Sequence, residues 1–292
     1  MAFIWGIPYL FIKIAVGELT PATLVFLRAA IGTVLLLPLA AVRNELLPLL
    51  RQWKWILAYT AVEVALPWFL LSDAERRISS SLTGLLIAAT PSFGAIMAWA
   101  TGGDDRVDRR RIAGLAMGFL GVAALVGLDV GGSDLGAIGQ VLLVAICYAA
   151  GPTIVARKLA SLPSLGVVAA SLAITAVVYA PLAITQLPSS IPSPSVVLAV
   201  AVLGVVCTAL AFVVYFALIG AVGSARATVI TYLNPAVALA LGVAVLGEPF
   251  TVGIAIGFVL IVLGSILATR RAPPSTSPSS TREQAQPIRS SL

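Results

Sequence analysis

The residue with the most chemistry to offer, Glu63, stands alone in the apolar run AYTAVEVALPWFLLS, Ala58 to Ser72. Four residues later comes Pro67, and a helix proline cannot bond the carbonyl four residues back, here that of Glu63 itself. An ionisable side chain and a freed backbone acceptor therefore coincide. If the run is one helix, Glu63 sits near its middle, roughly 15 Å from either end at about 1.5 Å per residue. An acid at the centre of an apolar helix costs on the order of 2.5–3.5 kcal/mol on membrane-insertion scales, so it faces a cavity or a partner. Two readings follow. Glu63 binds a proton or a cationic group of a ligand, or it is a structural acid, ion-paired with Arg28 or protonated and bonded to a neighbour.

Lys13 and Arg28 lie toward the ends of their own apolar runs. Long basic side chains there commonly snorkel to lipid headgroups; the rival is that Arg28 neutralises Glu63 or holds a ligand carboxylate. Trp5, Tyr9, Tyr148, Tyr215 and Tyr232, with Trp68, are candidates to line an aromatic cavity, while Trp53 and Trp55 are candidate interface anchors. Pro91 and Pro235 each follow a polar residue, Thr90 and Asn234. With Pro67 they are candidate hinges, and Lys13, Thr90 and Asn234 are candidates to bind substrate or proton. The alternative is a packing kink shared by both copies, since proline kinks an apolar helix and leaves a carbonyl that protein or cavity water must satisfy.

What is missing narrows the chemistry. The chain has no His, and its two cysteines, Cys147 and Cys207, lie inside apolar runs. Ser-His and Cys-His nucleophile pairs, His-ligated zinc and His proton relays are excluded, and a disulfide framework is not expected. No P-loop occurs, so ATP is not the direct energy source. No catalytic residue, metal site or cofactor is expected.

The elements that must position these residues are membrane spans. Of 292 residues 60% are hydrophobic and 10% charged, against about 25% charged in soluble domains. Apolar runs long enough to cross a bilayer recur, at 2–17, 22–42, 53–72, 79–101, 112–128, 135–156, 164–185, 195–219, 224–246 and 252–269. The first is short and lacks a small-residue cleavage site, so it reads as a span and not a signal peptide. Residues 270–292, rich in Pro and Ser, read as a disordered tail. With both termini cytoplasmic, Arg43, Arg51, Lys54, Arg106, Arg109, Arg110, Arg111, Arg157 and Lys158 fall inside and only Arg76 and Arg77 outside. This is the asymmetry of the positive-inside rule. The net charge of +6 is thus spent on orientation, and nucleic acid is not a partner. A bacterial inner membrane is the expected location.

The spans repeat. Ser80–Ala95 (SSLTGLLIAATPSFGA) aligns with Ser224–Leu239 (SARATVITYLNPAVAL) at an offset of 144, which also takes Pro8 and Lys13 to Pro152 and Arg157. An offset of 143 pairs Gly114 and Gly121 with Gly257 and Gly264. Five spans per unit is odd, so the second copy, 135–269, enters the membrane inverted relative to the first, 1–128. Inverted repeats are typical of secondary transporters, with the site near the midplane between them. Small-residue spacings in equivalent spans, Gly114-x-x-x-Gly118 and Gly253-x-x-x-Gly257, predict close helix packing within the fold.

The segments WGIPYLFIK (Trp5–Lys13), FLRAA around Arg28, LLIAATPSFGAI around Pro91 and TYLNPAVALALGVAVLGEPFTVGIAIGFVLIVLG (Thr231–Gly264) resemble EamA-type members of the drug/metabolite transporter superfamily, from Met1 to about Arg271. The resemblance implies an all-α integral membrane protein of ten transmembrane helices, with export of small metabolites, amino acids among them, or drug-like compounds. The first-half loop GGDDRVDRRR departs from the family in lacking a Gly-Glu pair, and the first span is clipped. The expected partners are a small-molecule substrate, membrane lipids and, through Glu63, protons as coupling ion, in a monomer or a homodimer. The alternatives are an intramembrane enzyme without His or metal, and a channel-like membrane protein.

Overall fold

A computed structural model describes residues 1–100, 109–129, 134–222 and 233–269. Tyr232, Ser224, Arg106 and the 270–292 tail lie outside the described residues. Among the described residues the secondary structure is helical throughout. Seven helices are long and apolar enough to cross a membrane: α2 (Pro21–Val42), α3 (Leu47–Ala74), α4 (Ser80–Ala100), α5 (Arg109–Asp129), α6 (Leu135–Leu159), α7 (Ser164–Thr185) and α8 (Pro194–Ala221). Three shorter apolar helices are also found among the described residues, α1 (Ala2–Ala15), α9 (Asn234–Leu246) and α10 (Val252–Thr269).

Helix starts follow local capping chemistry. Thr20 Oγ1 accepts from the Thr23 amide at 3.3 Å, with Pro21 in the first turn of α2. Ser79 caps α4 through the Leu82 amide at 3.2 Å, and Asp134 caps α6 through the Gly136 and Ala137 amides at 2.8 and 3.2 Å. These side chains take up amides that have no partner inside the helix. The outward faces are apolar: Val34, Val42, Leu120, Val177, Val178 and Ile184 are each more than half exposed. Water would not tolerate such a girdle, whereas lipid tails match it.

Several helices are interrupted where they matter. α1 breaks at Ile7, between Ala2–Gly6 and Pro8–Ala15. α4 breaks at Ala88–Ala89, so Pro91 enters the first turn of a new segment, Thr90–Ala100. Pro235 likewise lies in the first turn of α9. The expectation of a kink inside a continuous helix is thus replaced, at Pro91, by a break, and proline is well suited to the first turn beyond it because its missing N–H is not needed there. π-helical turns occupy Thr60–Ala65 in α3, Val155–Leu159 in α6 and Val202–Leu210 in α8.

The helices pack as pairs: α2 on α7, α4 on α9, α5 on α10, α1 on α8 and α3 on α6. Exchanging α1–α5 for α6–α10 maps the first three pairs onto themselves and the last two onto each other. The α5–α10 seam is closed backbone to backbone. A Cβ on Gly114 would lie 2.5 Å from the Ala268 nitrogen and 2.7 Å from the Gly264 oxygen, and one on Gly121 2.9 Å from the Ile261 nitrogen. Only glycine permits that approach, which places the small-residue spacing of α5 at an interface within the fold.

Candidate functional site

The π-turn of α3 delivers Glu63. Its wide register is marked by the Leu66 amide, which donates to the Ala61 carbonyl five residues back. Because Pro67 brings no N–H, an i→i+5 turn before it spares the helix part of the cost of that missing donor. Tyr179 of α7 donates its hydroxyl to the Ala65 carbonyl at 3.0 Å, so a side chain also helps to satisfy this stretch of backbone. The turn projects Glu63 against Gly151 of α6, where a Cβ would overlap the carboxyl group and lie 3.3 Å from the Glu63 Cβ. Oε2 of Glu63 is buried without a hydrogen-bond partner, as is Oγ1 of Thr60 in the same turn. The residue as a whole is only half-buried, with Oε2 held on the Gly151 side. Tyr59, Cys147, Tyr148 and Tyr215 lie within electrostatic reach of it.

Arg28 does not neutralise Glu63: no ion pair joins them among the described residues. The buried guanidinium lies over the Trp68 ring, 3.7 Å from its centroid, and its Nε donates to Thr208 Oγ1 at 2.9 Å. Thr208 sits in the π-turn of α8 and donates in turn to the Leu203 carbonyl, five residues back, at 2.8 Å. A cation held over a ring and bonded to a hydroxyl is stabilised without an anion. Tyr9 and Tyr148 lie within its electrostatic reach, and Tyr148 is the tyrosine that Arg28 and Glu63 share.

Lys13 does not reach for headgroups. Its ammonium donates to the carbonyls of Glu75 and Ile78 at 2.6 and 2.8 Å, capping the end of α3 where helix carbonyls run out of partners. At the same end of the bundle Glu248 closes α4. Gly247 ends α9 in the left-handed region, φ 66°, and this turns the next residue back across the helix end. The Glu248 carboxylate then accepts from the amides of Ser80 and Ser81 at 2.7 and 2.9 Å and from their hydroxyls at 2.9 and 2.5 Å. An anion at a helix N-terminus is favourable on both hydrogen-bond and dipole grounds. Beside it, Arg77 bridges Asp73, Gln140 and Asp134, stitching α3 to α6. The Arg77 hydrogen bond holds the Asp134 carboxyl below the usual carboxylate range.

The remaining sequence candidates distribute unevenly. Trp5 and Tyr215 meet, ring centroids 4.7 Å apart, beside Phe212. Tyr9 is buried among Leu82, Leu85 and Ala238. The Thr90 hydroxyl donates to the Ile87 carbonyl at 2.7 Å and so serves the break in α4. The Asn234 backbone oxygen packs on Gly6 of α1. Sequence reasoning missed Gly151, Tyr59, Tyr179, Thr208 and Glu75 as parts of this arrangement. Thr208 carried a usable signal as a lone hydroxyl in an apolar run, as did Glu75 as an acid next to a span; Gly151 carried none.

Among the described residues, then, this is an all-helical, multi-pass membrane protein whose largely apolar interior holds a few buried polar and charged groups, Arg28 and Glu75 among them. A model of the EamA-like transporter family matches residues 1–127 and again 135–270, and the chain belongs to that family. It is 24% identical over 276 residues to the uncharacterized transporter YvbV of Bacillus subtilis (strain 168), covering 93% of this chain and 90% of that protein. It is 28% identical over 272 residues to the uncharacterized inner membrane transporter YedA of Escherichia coli (strain K12), covering 91% and 87%. A crystal structure shares the fold at a TM-score of 0.66 and 23% identity, covering 92% of this chain and 93% of that one.

Proposed function

We propose that this transporter is a secondary-active exporter of small metabolites or drug-like amphiphiles, amino acids among them. It works by alternating access between two inverted five-helix repeats, and Glu63 binds either a coupling proton or a cationic group of the cargo. The observation that carries the reading is the Glu63 carboxyl group, packed on Gly151, unpartnered at Oε2 and within electrostatic reach of Tyr59, Tyr148 and Tyr215. A side chain so costly to bury without a partner is kept for something that binds it. The twofold family match and the exchange symmetry of the helix pairs support the repeat. The clustering of Lys and Arg supports both termini being cytoplasmic, in a bacterial inner membrane. On that orientation, the end that holds Lys13, Glu75 and Glu248 faces outward.

The test screens purified protein by thermal shift against amino acids, nucleosides and cationic drugs, then follows the hits in liposomes under an imposed pH gradient. Glu63→Gln is expected to lose uptake, the pH response, or both. Normal transport by Glu63→Gln with an unaltered response to the gradient rejects the assignment. Flux that fails to saturate identifies a channel instead.

A further inference from the structure

A second acid is buried more completely than Glu63. Glu75, just past α3, has no exposed surface, and neither of its carboxyl oxygens has a hydrogen-bond partner. The charged groups around it are committed elsewhere. From α1, Lys13 spends two of its three donors on the carbonyls of Glu75 and Ile78, and Tyr9 lies within electrostatic reach. From the connection after α9, Glu248 is also within reach, and as a carboxylate it already holds four donors of Ser80 and Ser81. On the α3 side and from α6, Asp73, Asp134 and Gln140 are taken up by Arg77, while Arg76 points to solvent. A negative Glu75 would therefore be an anion with neither water nor donors, beside a second anion that has taken the local hydrogen bonds. Lys13 alone offsets it from a distance. That arrangement is tolerable when Glu75 is a neutral carboxylic acid.

We propose that Glu75 is a proton-binding site of the carrier, distinct from Glu63, and that its proton belongs to the state in which Glu248 is seated on Ser80 and Ser81. The Glu248 contact joins the α9–α10 connection to the start of α4, so it has to part if this end opens. Opening would admit water to Glu75, which then releases its proton to that side; reprotonation from the same side lets the end close again. The proposal rests on the alternating-access reading, and it adds a site at the end of the bundle where a proton couples to closure and not to cargo.

The experiment places spin labels across this end, at Arg76→Cys and Phe250→Cys in a Cys147→Ala, Cys207→Ala background, and reads their separation by pulsed electron paramagnetic resonance. Between pH 5 and pH 9 the long-distance population should rise by about tenfold or more, as a one-proton equilibrium requires over more than one pH unit. Glu75→Gln, which imitates the protonated acid, should keep the short distance at both pH values. An unchanged pH response in Glu75→Gln overturns the proposal, and so does a background protein that does not respond to pH. Infrared spectroscopy of Glu63→Gln supplies a readout that does not need Glu75→Gln to fold. A buried carboxylic-acid band should persist there at neutral pH and vanish as the pH rises, and its absence equally overturns the assignment. None of these results bears on the carrier reading, which stands or falls on Glu63→Gln transport.

Discussion

α3 and α8 carry the same backbone device with different contents. The π-turn Thr60–Ala65 and the π-turn Val202–Leu210 coincide when the second half is set back by 144 residues. The first holds Glu63 and is followed by Pro67; at the matching positions the second has Cys207 and Ala211. Proline is therefore not what makes the turn, since α8 forms a longer one with none in reach. In α8 the Thr208 hydroxyl bonds the carbonyl five residues back and presents its oxygen to Arg28. In α3 the hydroxyl comes from outside, Tyr179 on Ala65. The wide turn is common to both helices, and the acid stands in one of them only.

The comparison is broken most directly by exchanging what the turns hold. Glu63→Gln should reduce transport by roughly 30- to 150-fold, the worth of a charge-assisted bond of about 2–3 kcal/mol, whereas Cys207→Ala should leave initial rates within about twofold; equal effects would mean that the acid is not what distinguishes the halves. Glycines test the packing next. Gly151→Ala would overlap the Glu63 carboxyl group, and Gly204→Ala would meet Ile31 Cβ at 2.7 Å. Each should cost about 1–3 kcal/mol by overpacking, seen as a lower melting temperature in detergent. Only the first should be relieved by Glu63→Ala. Thr208→Val strips Arg28 of its hydroxyl partner and should cost about 1–3 kcal/mol, while Val64→Ala at the matching place in α3 loses only packing and should leave ligand binding intact. The smallest effect is expected at Pro67. Because α8 keeps its turn without proline, Pro67→Ala should shift stability by less than about 1 kcal/mol, and a large loss would show that the two turns are built differently after all.

The helices were legible because lipid imposes a blunt rule on sequence. The run expected at 164–185 is α7 residue for residue, and that at 79–101 begins one residue before α4. The centrality of Glu63 was legible for the same reason. Its surroundings were not. A π-turn leaves no periodic mark, and Pro67 pointed to a freed Glu63 carbonyl without showing how the backbone before it widens. Gly151, Tyr59 and Tyr179 meet the turn through helix pairing that local sequence does not encode. Lys13 and the Gly247-Glu248 pair were visible as types, a terminal cation and a family motif, but the backbone groups they satisfy belong to helices distant in the chain. The departure noted in the first half, a loop without Gly-Glu, gains meaning from this: in the second half that pair is a turn plus an anion aimed at the start of α4.

The glycine seam between α5 and α10 also constrains how the molecule is made. α5 emerges early, with bare glycine backbone along the face where its main neighbour will lie, and that neighbour follows only after the whole second half. Until then α5 meets lipid or a temporary companion along a surface too smooth to grip either well. Assembly is in this sense deferred. Premature termination before Val252 should harm α5, far upstream, more than the helices just before the stop, and protease sensitivity of the 109–129 segment during synthesis would record the wait.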